Sequence, residues 1–254
     1  MRTLLSTVLL ALSCVAPLAI GQTRSPQVAA VIGDLVAANH ILAAKGILPG
    51  WGHVSVRHPE NPERYFMSRS LAPELVIADD VVEYDLESRA IAPEDARGYL
   101  ERFIHGEIYK ARPDVMAIVH NHTPTVISFG IGTAPLRPVF HQANFLLGGV
   151  PVWDYRDFGT ADGALVHTPE RGRALANTLS DRAVVLMKNH GVAVVGSSLP
   201  MSVGRSIMLE QNAQMQSDAL ARGDTVTYLE LSGVNADGEF LRGWDLWKRQ
   251  LVSR

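Results

Sequence analysis

The sequence of 254 residues contains a single cysteine, Cys14. One cysteine cannot form an internal disulfide, and removal of Cys14 with the N-terminal segment would exclude thiolate chemistry as well. Histidine, aspartate and glutamate then remain as the plausible metal ligands. The sequence also has no excess of basic residues, since its formal net charge is −3. Nucleic acid and anionic lipid are therefore not expected as partners.

No repeat of fixed period and no low-complexity linker divides the sequence, which predicts a single domain over residues 22–254. Residues 1–21 differ in composition, because Arg2 precedes an apolar stretch that small residues follow. This layout is typical of a secretory signal peptide, and the stretch is shorter than the ~20 residues that span a bilayer. We expect cleavage and a periplasmic or secreted protein without stable membrane association. An uncleaved segment would leave the protein cytoplasmic or membrane-anchored, while Ala-Leu-Ser before Cys14 fits a lipid-attachment site poorly.

Helical and extended patterns alternate along the remaining chain, which predicts an α/β domain with a mixed sheet covered by helices. Helices are predicted for residues 27–45, 98–112 and 200–222. Strands are predicted for residues 53–59, 64–70, 81–86, 115–120, 149–152, 183–187 and 192–196.

Two histidines, His120 and His122, close an apolar run in the segment DVMAIVHNHTPTVISFG. Side chains alternate along a strand, so residues at i and i+2 point to one face and their imidazoles can meet one ion. In a helix the two rings would lie about 200° apart, and the run VMAIV favours the strand. The pair alone is a weak sign of metal binding, because two strand histidines can be neighbours without sharing an ion.

A third histidine, His190, follows another apolar strand in LMKNHGVAVVG and precedes a glycine, where the chain can turn tightly. Three neutral imidazoles with a carboxylate or an open position form a set typical of catalytic zinc and related divalent ions. Glu101, on the predicted helix before the histidine pair, could reach the same rim. The alternative interpretation of Glu101 is a solvated acid on a helix surface.

Together, ERFIHGEIYKARPDVMAIVHNH, the later NHGVAVVG and the earlier GWGHVSVR resemble the class II aldolase/adducin family, over residues 28–220. The resemblance implies a three-layer α/β/α fold and one divalent ion per subunit, held by His120, His122 and His190. Zinc is the first expectation for this ion, with manganese, iron or cobalt as alternatives. The family's catalytic glutamate falls on Glu101. Relatives are commonly cyclic homotetramers, so a homotetramer is expected here.

Family members that are aldolases cleave sugar phosphates, and this sequence departs from their phosphate-binding residues. His53 replaces the asparagine of the G-N-V-S-x-R turn, and Tyr99-Leu100 stand where a pair of serines is expected. Gln142 lies about where those aldolases carry a catalytic tyrosine. These departures favour an unphosphorylated small-molecule substrate, either a hydroxy-carboxy semialdehyde or an acid derived from an aromatic compound.

The segment YFMSRSLAPELV resembles a subgroup labelled as decarboxylases of 2-hydroxy-3-carboxymuconic semialdehyde-type products or dihydroxyaryl carboxylates. We therefore predict a metal-dependent carbon–carbon lyase, a decarboxylase in which the ion acts as a Lewis acid towards an enolate oxygen. Glu101 would be the metal-site carboxylate or the proton shuttle that returns a proton to carbon. The alternatives are an aldolase that cleaves a sugar or sugar phosphate by a retro-aldol reaction, and a non-catalytic metal-binding or adducin-like scaffold.

Four further residues are candidates for substrate binding. Arg69 could hold a substrate carboxylate through two hydrogen bonds, although a surface position in a turn is an equally good interpretation. His53 occupies the predicted binding turn, and His141 lies in a loop that resembles the family's active-site lining. Tyr155 completes the group. For these last three residues a structural role is at least as good an interpretation.

Overall fold

The computed structural model describes residues 24–161, 163–230 and 237–252 of the chain, so the predicted signal segment 1–21 lies outside the described residues. Within them, the helices are α1 Pro26–Ala44, α2 Arg102–Ala111, α3 Pro124–Ile131, α4 Pro169–Leu179, α5 Leu199–Ala221 and α6 Asp237–Val252. The strands are β1 His53–Arg57, β2 Arg64–Ser68, β3 Val81–Asp85, β4 Ala90–Ala92, β5 Ala117–Asn121, β6 Val152–Trp153, β7 Val184–Met187 and β8 Gly191–Gly196. Short 3₁₀ turns occupy Pro73–Leu75, Ala78–Asp80, His141–Leu146 and Tyr155–Phe158.

The eight strands of the described chain form one sheet in the order β4-β3-β2-β1-β5-β8-β7-β6. All neighbouring strands are antiparallel except β6 and β7, which are parallel, so the sheet is mixed as predicted. Strands β1, β5 and β8 lie at its centre. Strand pairing therefore joins residues that are far apart in sequence, such as Ala117 and Gly196, which are 79 positions apart.

Alternation of side chains along the strands divides the buried residues between the two faces of the sheet. In β5, Ala117 and Val119 belong to the core formed with α1, α3, α5 and α6, whereas Ile118 belongs to the core formed with α2 and α4. Both faces are therefore covered by helices. The predicted three-layer α/β/α arrangement is confirmed.

Helix α1 begins and ends at local signals. Oγ of Ser25 accepts a hydrogen bond from the backbone N–H of Val28 at 3.2 Å, and proline occupies the first helical position. Gly46, with φ of +73°, turns the chain away after the last residue. By length and composition alone α1 could cross a membrane. Because Leu35 and Leu42 are completely buried in the core, packing accounts for its apolar face.

Two predicted elements begin three or more residues before the observed ones, while the other predicted elements agree to within two residues at each end. The predicted helix 98–112 begins only at Arg102. The residues before it make other contacts: Gly98 packs closely against the hydroxyl of Tyr84, and the Tyr99 hydroxyl donates to the Leu71 carbonyl at 2.6 Å. These contacts hold the segment before Arg102 along a pocket rim. The predicted strand 149–152 is also wrong in its start, since Gly149 adopts a positive φ and the strand begins at residue 152.

Candidate metal centre and substrate pocket

The central strands bring the predicted ligands to one rim of the sheet. His53 of β1 pairs with His120 of β5, and His120 in turn pairs with Ala193 of β8. His122 follows the end of β5 and His190 precedes the start of β8, so both leave the sheet at the same edge. Glu101 directly precedes the first residue of α2, and this helix packs on the same side of the sheet.

Four potential ligands converge there, because donor atoms of Glu101, His120, His122 and His190 all lie within 4.8 Å of one another. Nε2 of His122 lies 2.9 Å from Nε2 of His120 and 3.1 Å from Nε2 of His190. Oε2 of Glu101 lies 3.5 Å from Nε2 of His120 and 3.3 Å from Nε2 of His190. The fold thus brings together the set of residues that the sequence indicated.

Backbone carbonyls fix which nitrogen carries the proton on two of these rings. Nδ1 of His120 donates to the carbonyl of Val192 at 3.1 Å, and Nδ1 of His190 donates to the carbonyl of Ala164 at 2.9 Å. Since a carbonyl oxygen only accepts, the lone pair of each neutral ring lies on Nε2 and faces the cluster. Nitrogen ligands of one tetrahedral zinc ion lie about 3.3 Å apart. The converging lone pairs and their spacing therefore fit a divalent cation.

Glu101 and His190 also contact a loop, residues 163–166, that lies against the rim. Oε1 of Glu101 accepts a hydrogen bond from the backbone N–H of Val166 at 2.9 Å. The buried Arg171 donates through Nη1 to two carbonyls of this loop, at 2.9 and 2.8 Å. The loop therefore orients Glu101 and supplies the carbonyl that orients His190. These backbone contacts leave no signal in the sequence.

The electrostatics of the metal-free cluster favour a neutral His122 and an ionised Glu101, whereas Glu101 outweighs burial at His190 and raises the pKa of that ring. Burial and the neighbouring His120 and His190 lower the pKa of His122 to about 3. Burial acts to raise the pKa of Glu101, but the neighbouring His120 and His190 outweigh it and hold that pKa well below its usual range. Unprotonated imidazole and ionised carboxylate are the forms that bind a divalent ion.

Gly191 leaves no room for a side chain between the ligands. A Cβ at this position would lie 2.5 Å from the carbonyl oxygen of Asn121 and 2.7 Å from Cδ2 of His122. We expect Gly191→Ala to displace the His122 ring and weaken zinc binding roughly 10- to 100-fold, as measured by competition with a chromogenic chelator. Gly33→Ala is the matched control, because a Cβ there meets nothing within 4 Å. Equal zinc affinity in the two variants would contradict the prediction.

The complete burial of His105 predicts that the metal-free protein becomes less stable to unfolding as the pH falls. Burial, and then the charge of His120, lower the pKa of His105 to about 3 from 6.5. As the pH falls below 6.5 the unfolded chain therefore binds a proton that the folded chain does not, which favours unfolding. Between pH 7 and pH 5 we expect His105 to lower the free energy of unfolding by about 2 kcal/mol. Urea titrations at both pH values measure this loss, and a loss of the same size in His105→Asn would refute the assignment.

A cavity of ≈ 400 Å³ opens onto the cluster. It is lined by Gly50, Trp51, Gly52, His53, Ser70, Leu71, Ala72, Tyr99, Leu100, Glu101, His122 and Leu165. Trp51 and Leu100 are 73% and 64% exposed, so the cavity offers uncovered apolar surface beside the ligands. The described residues that line it include neither lysine nor arginine. Trp51, Leu71 and Leu165 were not predicted as site residues, because an isolated apolar side chain has no pattern that distinguishes it from core.

Of the four residues predicted to bind substrate, His53 lines this cavity in the described part of the chain. Arg69 instead pairs through Nε with Oδ1 of Asp80 at 2.7 Å, and its side chain is half exposed. His141 and Tyr155 lie in separate 3₁₀ turns, and Tyr155 packs against the core on the α2 and α4 face. None of these three lines the cavity of the described chain, and their roles stay predictions.

Comparison with known proteins identifies the family. A sequence model of the Class II Aldolase and Adducin N-terminal domain matches residues 33–217, which is most of the chain. The chain belongs to the class II aldolase/adducin family. The family predicted from the histidine and glycine motifs is therefore confirmed.

Similar proteins in this family include both decarboxylases and aldolases. Decarboxylase tropJ of Talaromyces stipitatus is 36% identical over 248 residues, covering 87% of this chain and 93% of the relative. The 3,4-dihydroxyphthalate decarboxylase of Rhodococcus jostii is 28% identical over 207 residues, covering 76% of this chain and 82% of the relative. The solved L-fuculose 1-phosphate aldolase of Glaciozyma antarctica superposes with a TM-score of 0.73 at 26% identity, covering 92% of this chain and 94% of the aldolase.

Proposed function

We propose that this protein is a divalent-metal-dependent decarboxylase of an unphosphorylated acid, either a hydroxy-carboxy semialdehyde or an acid derived from an aromatic compound. One observation carries the proposal: Glu101, His120, His122 and His190 converge beside an apolar cavity whose described lining has no lysine or arginine. Relatives that share most of the chain are named decarboxylases, which supports the reaction type.

Nε2 of each of His120, His122 and His190 would hold the ion, with zinc as the first candidate and manganese, iron or cobalt as alternatives. When bound, a divalent ion supplies a Lewis acid that stabilises negative charge on a substrate oxygen. The carbonyls of Val192 and Ala164 keep two of the three rings oriented for this role.

The apolar lining would bind the carbon skeleton of the substrate. Trp51, Leu71 and Leu100 offer surface for a flat, unsaturated molecule, whereas a phosphate group would find no positively charged side chain among the described lining residues. A carboxylate held against apolar surface loses hydrating water, and CO2 is neutral, so the surroundings favour its departure.

Glu101 would move the proton. Loss of CO2 leaves the bonding electron pair on carbon, delocalised towards the neighbouring carbonyl oxygen, and that carbon must take up a proton. Glu101 accepts a proton from a substrate hydroxyl and returns it to this carbon, and a proton from solvent then restores the hydroxyl. Since Oε1 accepts from the N–H of Val166, Oε2 is the atom that transfers the proton. The net change is conversion of a carboxylate and a proton into CO2 and a C–H bond.

Product analysis tests the proposal. Zinc-loaded protein is incubated separately with 3,4-dihydroxyphthalate, with 2-hydroxy-3-carboxymuconic semialdehyde, with L-fuculose 1-phosphate and with unphosphorylated L-fuculose. We expect CO2 from at least one of the two acids and no aldehyde from the sugar or the sugar phosphate. Aldehyde without CO2 would replace the decarboxylase by an aldolase. Absence of any turnover at one zinc per chain would favour a non-catalytic scaffold.

An aldolase is the second candidate, because the Glaciozyma antarctica aldolase shares the fold over nearly its whole length. Cleavage of a carbon–carbon bond next to a carbonyl also leaves an electron pair that needs the same stabilisation. The lack of positive charge in the described lining makes an unphosphorylated sugar the substrate that this second candidate would require.

We also propose, from the sequence, that residues 1–21 form a cleaved secretory signal and that the protein works as a homotetramer. Fractionation with N-terminal sequencing tests the first proposal, and a chain recovered intact from the cytoplasm would contradict it. Light scattering of the purified protein tests the second, with four times the mass of the mature chain as the expected result.

A further inference from the structure

A hydrogen-bond relay, formed by His53, His105, Ser55 and Tyr109, leads from the pocket into the core beside β1. Nδ1 of His53 lies 2.7 Å from Nε2 of His105, and Nδ1 of His105 lies 2.6 Å from Oγ of Ser55. Oγ of Ser55 lies 2.8 Å from the hydroxyl of Tyr109. His53 and Ser55 share one face of β1, while His105 and Tyr109 lie one turn apart on α2. All four residues are buried, and His53 also lines the pocket.

Tyr109, at the buried end of this relay, fixes the direction of every hydrogen bond in it. Among the described residues, the Tyr109 hydroxyl has Ser55 as its one hydrogen-bond partner, so it donates its proton to Oγ of Ser55. The Ser55 hydroxyl then donates to Nδ1 of His105. His105 is neutral, because burial lowers its pKa to about 3, and its single proton lies on Nε2. His105 therefore donates to Nδ1 of His53.

The opposite direction leaves a proton without an acceptor. If His53 donated to His105, then Nδ1 of His105 would donate to Ser55, and either Ser55 or Tyr109 would keep a buried hydroxyl proton unpaired. An unpaired buried donor costs more than a neutral hydrogen bond of this kind contributes. Only donation that runs from Tyr109 towards His53 gives every buried polar group of the relay a hydrogen-bond partner.

We propose that this relay locks His53 as the tautomer protonated on Nε2, which presents an N–H donor to the pocket for a carboxylate oxygen of the substrate. The proposal rests on the pocket being the substrate site, as proposed above. Nε2 of His53 has no hydrogen-bond partner among the described residues, and the His53 ring lies 5.0 Å from the His120 ring, centroid to centroid. The donor therefore stands beside the candidate metal centre.

The surroundings of His53 favour an acidic ligand. The described residues that line the pocket supply no ammonium or guanidinium group, so a carboxylate entering it needs another donor. Tyr99 cannot serve, because its hydroxyl already donates to the carbonyl of Leu71 at 2.6 Å. Its ring, 4.5 Å from the His53 ring between centroids, instead helps hold the imidazole in place. Ser70 and Trp51 are further donors in this lining, but His53 is the one whose ring the hydrogen bond to His105 orients.

Nuclear magnetic resonance tests the tautomer directly. Two-bond ¹H–¹⁵N correlations of zinc-loaded protein labelled with ¹⁵N-histidine report which ring nitrogen carries the proton, and His53→Gln identifies the signal. We expect His53 to be protonated on Nε2 alone at pH 7. Ser55→Ala breaks the relay and should convert this signal to that of a mixture of tautomers. A wild-type His53 protonated on Nδ1, or on both nitrogens, would overturn the proposal.

Binding of phthalate to zinc-loaded protein, followed by calorimetry, tests the donor. We expect His53→Phe, which keeps a ring but loses the N–H, to bind phthalate roughly 10- to 100-fold more weakly than wild type. His53→Gln keeps a donor and should recover most of the affinity. His58→Phe, just beyond the far end of β1, is the matched control and should bind like wild type. Equal phthalate affinity in His53→Phe and wild type would overturn the proposal even if the tautomer is as expected.

The outcome separates this inference from the proposed reaction. If acids are decarboxylated but His53→Phe binds phthalate normally, the donor role fails and the reaction stands. If His53 has the expected tautomer and His53→Phe loses phthalate while no acid is decarboxylated, the donor role stands and the reaction fails. Absence of phthalate binding in wild type would exclude a carboxylate ligand and overturn the donor role.

Discussion

Replacement of His122 by alanine is expected to abolish metal retention and lower decarboxylation by roughly two orders of magnitude or more. His122 is central to the cluster, since its Nε2 lies within 3.1 Å of Nε2 of both His120 and His190. Loss of a group that only orients a ligand typically weakens metal binding 10- to 100-fold, so loss of a ligand should cost at least as much.

Elemental analysis of natively purified protein, together with CO2 release, measures both effects of His122→Ala. We expect about one ion per wild-type chain, because the described residues bring together one such ligand set. His58→Ala is a matched control, since His58 stacks on Phe66 outside the cluster and should keep full metal content. A His122→Ala protein that retains one ion per chain would show that the three imidazoles are not the ligands.

The sequence predicted the histidine pair because its geometry is local. Alternation along β5 places Ile118 and His120 on one face of the sheet. His122, two residues further on, points the same way, and its Nε2 lies 2.9 Å from Nε2 of His120. The third histidine is different. His190 is 68 residues away, and it meets the pair only because β8 lies beside β5. Spacing alone could not establish that pairing, which the resemblance to a family supplied.

The helices α3, α4 and α6 were not predicted, although α4 carries recognisable signals. Thr168 accepts a hydrogen bond from the N–H of Arg171 and Pro169 begins the helix, which is a standard helix start. Helix α3 has only eight residues, too few to show a periodic apolar pattern. Its position is set by packing of Val126 and Phe129 against the core rather than by local propensity.

The residues and contacts of the pocket were the part of the site that the sequence predicted least well. The departure from phosphate-binding residues at His53 was visible in the sequence, and His53 does line the cavity. The hydrogen bond from His105 that orients it was not visible, because these residues are 52 positions apart. Arg69 likewise has a local pattern consistent with carboxylate binding, but its contact with Asp80 arises from the way the chain folds back after β2.

Glu101→Gln should separate proton transfer from metal binding. We expect metal content to stay near that of wild type and decarboxylation to fall by roughly 10²- to 10⁴-fold, the usual contribution of a general acid–base group. Glutamine preserves the size of the side chain and can still accept the hydrogen bond from Val166 through its oxygen. It cannot take up and return a proton at neutral pH.

The measurement is the rate of CO2 release per bound ion, with metal content determined on the same preparation. Glu107→Gln is the matched control, because Glu107 lies on the same helix and is equally buried but pairs with Lys110 at 2.8 Å, away from the ligand cluster. Its rate per ion should equal that of wild type. An unchanged rate in Glu101→Gln at equal metal content would exclude this carboxylate as the proton carrier, while the three histidines would remain the candidate ligands.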